Sequence, residues 1–198
     1  MTHNKKLPKV KVRESGMPPE DVWNSFFNVE LILCELLIDS QVKDLVEIGC
    51  GYGTFTIPVA EIISGCLYAF DLDKEMISAT HDKIKNQNIT NIKLIERDIL
   101  SDSTKIPANS IDYVMLFNIL HHEKPSELLD ESFRILKNGG KVGIIHWRTD
   151  IETPRGPSLG IRTKPEDCVK WIWESKFELQ KEPLILEPYH FGLVAIKP

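Results

Sequence analysis

Glu47-Ile48-Gly49-Cys50-Gly51-Tyr52-Gly53 follows the apolar pair Leu45-Val46 and precedes a helical pattern that opens near Thr54. A buried strand that ends in three closely spaced glycines and re-enters as a helix turns backbone N–H groups toward a crevice. Without Cβ atoms in the way, a nucleotide-like ligand can lie directly on that main chain. About twenty residues on, a second apolar run, Leu67-Tyr68-Ala69-Phe70, ends in Asp71. An acid at that place is suited to ribose hydroxyls.

Glycine spacing narrows the ligand. In the dinucleotide fingerprint G-x-G-x-x-G the third glycine would fall at position 54. Thr54 stands there, and the third glycine comes one residue early, at Gly53. The pattern is acid-x-G-x-G-x-G, with Glu47 as the acid.

A chain of 198 residues fits one domain with a full core. Its apolar, aromatic and charged fractions are those of an ordinary soluble protein. No run spans a bilayer and no signal-peptide order is present, so a cytoplasmic location is expected. A net charge of −5 argues against a protein built to grip phosphate backbones, and no nucleic-acid partner is expected. Lys5, Lys6, Lys9, Lys11 and Arg13 cluster locally, and residues 1–17 read as a flexible basic arm ahead of a single domain at 18–198. Cys34, Cys50, Cys66 and Cys168 are scattered without a C-x-x-C pair, which favours free thiols over disulfides or a zinc site.

Periodicity supplies the remaining elements. Pro18-Pro19-Glu20-Asp21 opens a helix whose apolar positions recur to about Asp39. Strands are expected at about Asp44 to Ile48, Cys66 to Phe70, Ile92 to Ile95, Ile111 to Phe117 and Lys141 to His146. The helices between them fall at about Thr54 to Ile63, Lys74 to Asn86 and Ser126 to Leu136, the last closed by Asn138-Gly139-Gly140. After a Pro/Gly/Arg loop, a helix spans about Glu166 to Lys176. Strands from about Glu178 to Leu186 and Phe191 to Ile196 follow, with no helix between them. Alternating strands and helices imply a doubly wound α/β, mostly parallel sheet, and the last two strands should form a terminal antiparallel hairpin.

The acid-x-G-x-G-x-G loop, Asp71 and this element order resemble the class I S-adenosylmethionine-dependent methyltransferases from about residue 40 to 198. The resemblance implies a seven-stranded Rossmann-like methyltransferase fold with one reversed strand, and S-adenosyl-L-methionine as cofactor. It places Glu47 near the methionine ammonium and lets the main chain at Gly49, Gly51 and Gly53 approach the methionine and ribose. It gives Asp71 to the ribose hydroxyls and Asp98 to the adenine amino group. Leu72 and Ile99 become apolar walls, and Asn118 faces the sulfonium. Asp71 and Asp98 also have a plainer reading as turn or cap residues, which short acids commonly are.

Asn118-Ile119-Leu120-His121-His122 resembles the N-x-x-H-H stretch of the methyltransferase-11 group, which includes quinone-biosynthesis enzymes. It lacks the [DN]-P-P-[YF] tetrad of adenine and glutamine N-methyltransferases. His121, His122 and Glu123 are adjacent, a poor arrangement for one ion, and no metal is expected. His121 or His146 is a candidate base if the acceptor arrives protonated. In the loop that follows His146, Trp147 is a candidate wall of the acceptor pocket and Arg155 a candidate partner for an acidic substrate group. A small-molecule or lipid-like acceptor is expected. A macromolecular acceptor, a nicotinamide-dependent oxidoreductase and a cofactor-binding scaffold without turnover are the other readings.

Overall fold

A computed structural model describes residues 17–121 and 124–198. Residues 1–16 of the basic arm, and His122 and Glu123, lie outside the described residues.

Seven strands form one sheet: β1 (Leu45–Ile48), β2 (Leu67–Asp71), β3 (Ile92–Glu96), β4 (Ile111–Phe117), β5 (Leu136–Trp147), β6 (Glu178–Leu186) and β7 (His190–Ile196). Their order is β3-β2-β1-β4-β5-β7-β6. β1 to β5 pair in parallel. β7 runs antiparallel to both β5 and β6, so it is the one reversed strand. The terminal hairpin expected from the absence of a crossover helix is therefore present, with β7 inserted between β5 and the edge.

Burial on both sides explains the apolar content of the central strands. Along β4, Val114 and Leu116 enter one core layer with Val142, Ile144 and Leu129. Tyr113, Met115 and Phe117 enter the other with Leu45, Val59 and Leu67. Helices α3 (Thr56–Ile62), α4 (Lys74–Asn86), α6 (Pro125–Ile135) and α7 (Pro165–Glu174) supply the crossovers, joined by the four-residue α5 (Ile99–Asp102).

Two departures from expectation have local causes. The single helix anticipated from Pro18 is two, α1 (Glu20–Asn24) and α2 (Val29–Glu35). Between them Phe27 bridges to Pro188, and the Asn28 side chain caps α2 by accepting from Leu31 N at 3.2 Å. Gly139-Gly140 does not close α6, which ends at Ile135. Leu136 already pairs with Ile111, and Gly139 N donates to Lys197 O at 2.8 Å. A sheet partner thus takes the groups that a helix stop would have satisfied, and β5 starts five residues earlier than the expected Lys141.

Candidate active site

Parallel strands deliver their C-terminal ends to one side of the sheet, and the order reverses at β1, between β2 and β4. A cavity of about 820 Å³ opens there, lined among others by Gly49, Gly51, Asp71, Leu72, Asp98, Ile99, Asn118 and His121. Side chains and main chain from four strand ends, far apart in sequence, meet in this one crevice.

Asp71 organises the glycine loop. Its Oδ2 accepts from Gly51 N at 2.8 Å and its Oδ1 from Asp73 N at 2.9 Å. Burial pushes this carboxyl above its ordinary range, opposed by the N–H groups of Asp73 and Gly51. Thr80 on α4 holds the loop from the other side, its hydroxyl donating to Gly51 O at 2.8 Å.

Gly53 is absent from the cavity wall. Its φ is +77°, and a Cβ there would lie 3.1 Å from Thr80 Cγ2 and Oγ1. The early third glycine lets the loop lie close against α4, which explains its displacement from the dinucleotide spacing.

Glu47 is also outside the wall. It is 2% exposed beneath the loop, and Thr56 donates to its Oε2 at 2.6 Å. Burial pushes its carboxyl up to about 8; the Thr56 bond pulls the other way and the nearby Asp71 charge adds to the rise.

Asp98 is a helix cap that also reaches the cavity. It caps α5, accepting from Leu100 N at 3.0 Å and Ser101 Oγ at 2.8 Å, and it lines the cavity. Asn118 takes a left-handed conformation with φ +54° just past β4, its N–H donating to Ile145 O at 2.8 Å. Its buried Oδ1 has no hydrogen-bond partner among the described residues. The residue lines the cavity, while this oxygen itself is covered.

The two candidate bases part company. His121 lines the cavity, whereas His146 is buried at the end of β5, its ring centroid 6.1 Å from that of Phe191. Trp147 is 5% exposed and packs behind the wall, its centroid 6.3 Å from that of Trp23, which does line the cavity. Arg155 lies on the exposed loop and is not part of the wall.

Several contributors escaped the sequence reading. Met17, Trp23, Phe55, Phe117 and Ile119 form an apolar portion of the wall. Trp23 was visible only as one aromatic in an amphipathic pattern. The N-terminal segment crosses the loop as a strap. Lys83 of α4 pairs with Glu20 and donates to Tyr52 O, Tyr52 Oη donates to Pro18 O at 3.0 Å, and Thr54 Oγ1 donates to Asn24 Oδ1 at 2.7 Å.

All four cysteines are free, and burial raises the thiols of Cys50, Cys66 and Cys168. Among the described residues no group of three or more His, Cys, Asp or Glu gathers to hold a metal, and no helix is long and apolar enough to cross a membrane.

The cavity fits an adenosyl amino acid. It offers bare loop backbone, a carboxylate at the end of β2, apolar Leu72 and Ile99, a second carboxylate after β3, and Asn118 after β4. Comparison with known proteins agrees. Residues 45–140 match a family model described as a methyltransferase domain. A demethylmenaquinone methyltransferase of Geobacillus sp. (strain WCH70) is 32% identical over 123 residues, covering 61% of this chain and 49% of that protein. The chain spans about half the length of the curated relatives it matches. A type 11 methyltransferase structure from Sulfolobus solfataricus, itself titled putative, superposes with TM-score 0.67 at 29% identity, over 85% of this chain and 91% of that one. A SAM-dependent methyltransferase from Aquifex aeolicus shares the fold with TM-score 0.79 at 19% identity, over 91% and 94% of the two chains. In glycine loop, strand order and these likenesses the chain is similar to the class I S-adenosylmethionine-dependent methyltransferases, and residues 45–140 match a methyltransferase domain.

Proposed function

We propose that this protein transfers a methyl group from S-adenosyl-L-methionine to a small-molecule or lipid-like acceptor. The observation that carries the reading is the meeting of Gly51, Asp71, Asp98 and Asn118 in one cavity where the strand order reverses. When bound, the cofactor supplies a methyl already activated on a sulfonium.

The chain's own work is then binding and alignment. The main chain at Gly49 and Gly51 receives the amino-acid and ribose portions, and Asp71 accepts from ribose hydroxyls while holding the loop in place. Asp98 takes the adenine amino group between Leu72 and Ile99. Asn118 stands at the reacting end. Gly53 and Glu47 act from behind the wall, Gly53 through its contact with α4 and Glu47 as the acid nearest the loop on its buried side. Fixing an acceptor at near-attack distance is worth up to about 7–11 kcal/mol, so alignment alone accounts for much of the rate.

His121, in the wall, is the base for an acceptor that arrives protonated, and His146 supports the end of β5. The apolar portion formed by Trp23, Phe55 and Phe117 favours an apolar acceptor, as does the likeness to a demethylmenaquinone methyltransferase. Arg155 meets only an acceptor that reaches out of the cavity to the loop. Residues 18–198 act as one domain in the cytoplasm, with residues 1–17 as an accessory basic arm and no nucleic-acid partner.

The test is a methyl-labelled donor assay against reduced demethylmenaquinone and fractionated small molecules and lipids of the source cell. Label should enter a low-molecular-weight or lipid product, and His121→Ala should slow it. Cofactor binding without transfer to any fraction would mark a scaffold instead.

A further inference from the structure

Residues 148–163 form a long loop after β5, and one side chain that the sequence did not single out, Arg162, gathers five of its oxygens. The Arg162 guanidinium donates from Nε to Pro157 O at 2.8 Å, and from one terminal nitrogen to Arg148 O at 2.6 Å and Ile151 O at 3.3 Å. Its other terminal nitrogen donates to Thr153 Oγ1 and, at 3.5 Å, to Arg155 O. Every one of these acceptors is a neutral oxygen of the same loop. A planar, five-donor fork can bind such a ring of carbonyls, and an ammonium cannot reproduce it.

The loop so gathered lies on Trp147. Arg162 Cζ stands 5.9 Å from the indole centroid. Gly156, at φ +98°, brings its backbone so close that a Cβ would lie 2.8 Å from Trp147 Cδ2. Trp147 in turn touches Trp23, the aromatic in the cavity wall. A second tie runs from Thr163, next to Arg162, whose hydroxyl donates to Leu120 O at 3.4 Å, one residue before His121. The loop therefore backs the acceptor side of the cavity at two points without lining it.

We propose that Arg162 is a positioning residue for acceptor binding: it holds the 148–163 loop against Trp147, and Trp147 fixes Trp23 in the cavity wall. This rests on the methyltransferase reading and assigns to Arg162 the loop's influence on the acceptor that Arg155 was expected to exert. Arg155 supplies the loop only a carbonyl.

The experiment compares the full chain with Arg162→Ala, Gly156→Ala and Arg155→Ala, using two probes. Calorimetry with S-adenosylhomocysteine reads the donor side, and quenching of tryptophan fluorescence by 1,4-naphthoquinone, with S-adenosylhomocysteine saturating, reads the acceptor side. Donor-side affinity should stay unchanged in all three variants. Naphthoquinone affinity should fall about tenfold in Arg162→Ala and Gly156→Ala, the scale of one lost coupling, and stay unchanged in Arg155→Ala. Low-millimolar guanidinium should restore Arg162→Ala but not Gly156→Ala, a rescue that general destabilisation would not show. Should Arg162→Ala fail to fold, Gly156→Ala decides, since its substitution lies on an exposed loop. Wild-type naphthoquinone affinity in Gly156→Ala, or no rescue of a folded Arg162→Ala, overturns the proposal, as does a wild-type protein that binds S-adenosylhomocysteine but no naphthoquinone. Failure of wild type to bind S-adenosylhomocysteine overturns the methyltransferase reading instead.

Discussion

Asp71 accepts two backbone N–H groups with one carboxylate, so Asp71→Asn leaves one donor facing an amide N–H₂. Charge-assisted hydrogen bonds are worth about 1.5–3 kcal/mol, and the affinity for S-adenosylhomocysteine should weaken roughly 10–100-fold by calorimetry. Glu47 gives a second prediction. Its folded carboxyl holds its proton up to about pH 8, against an ordinary value of 4.5. The folded state therefore binds more protons than the unfolded chain between those values, and stability falls as pH rises through that window. The total is of the order of 3–5 kcal/mol, and Glu47→Gln should remove it. Denaturant midpoints of the two proteins, compared at pH 5 and pH 8, check this; equal slopes with pH would contradict it. These two acids also show what the sequence discloses about a residue. Both were legible as acids at strand ends. That Glu47 lies outside the cavity wall, bonded to Thr56, was not, because that contact joins β1 to α3 across the core.

Strands were the most legible elements. β4, α4 and β6 fall where apolar content and periodicity put them, since burial on two faces or one leaves a direct mark in composition. Boundaries set by a distant partner left no such mark. The break between α1 and α2 depends on Pro188, and the early start of β5 depends on Ile111 and Lys197. The loop 148–163 was legible as a loop, but its hub was not, because carbonyl acceptors are the same in every residue and nothing marks Arg162 over Arg155. The contact between the glycine loop and α4 yields a prediction on the same scale. Gly53→Ala adds a left-handed alanine and a Cβ 3.1 Å from Thr80. The cost should be about 1–3 kcal/mol, or roughly 3–9 °C in Tm for a chain of this size. An unchanged Tm would mean that α4 yields freely.

For the whole molecule, Glu47 and His190 contribute to the pH dependence of stability with opposite signs. His190 is fully buried between Phe27 and Trp147, with ring centroids at 4.5 and 4.4 Å. Burial, reinforced by the Arg162 charge, pushes its imidazole down to about 3 from an ordinary 6.5. The unfolded chain takes up the proton first, so the stability His190 contributes is present above about pH 6.5 and lost as pH falls toward 3. His190→Phe should flatten the acid limb of a Tm-against-pH curve and leave the alkaline limb, which belongs to Glu47; a variant that keeps the wild-type acid limb would place the sensitivity elsewhere. The fold as a whole was readable because three glycines, an acid twenty residues on and a helix-free terminal pair of strands each restrict the topology independently. The part of the cavity built on strand ends was readable with it. Its apolar part was not, since Met17, Trp23 and Phe55 reach it through packing alone.

The glycine loop and the strand ends beside it should hold an adenosyl amino acid rather than a dinucleotide. Isothermal calorimetry of the purified chain with S-adenosyl-L-methionine, S-adenosylhomocysteine and NAD tests it most directly. Saturable heat at one site per chain with the first two ligands, and none with NAD, is the predicted result. Binding of NAD alone, or of none of the three, would contradict it.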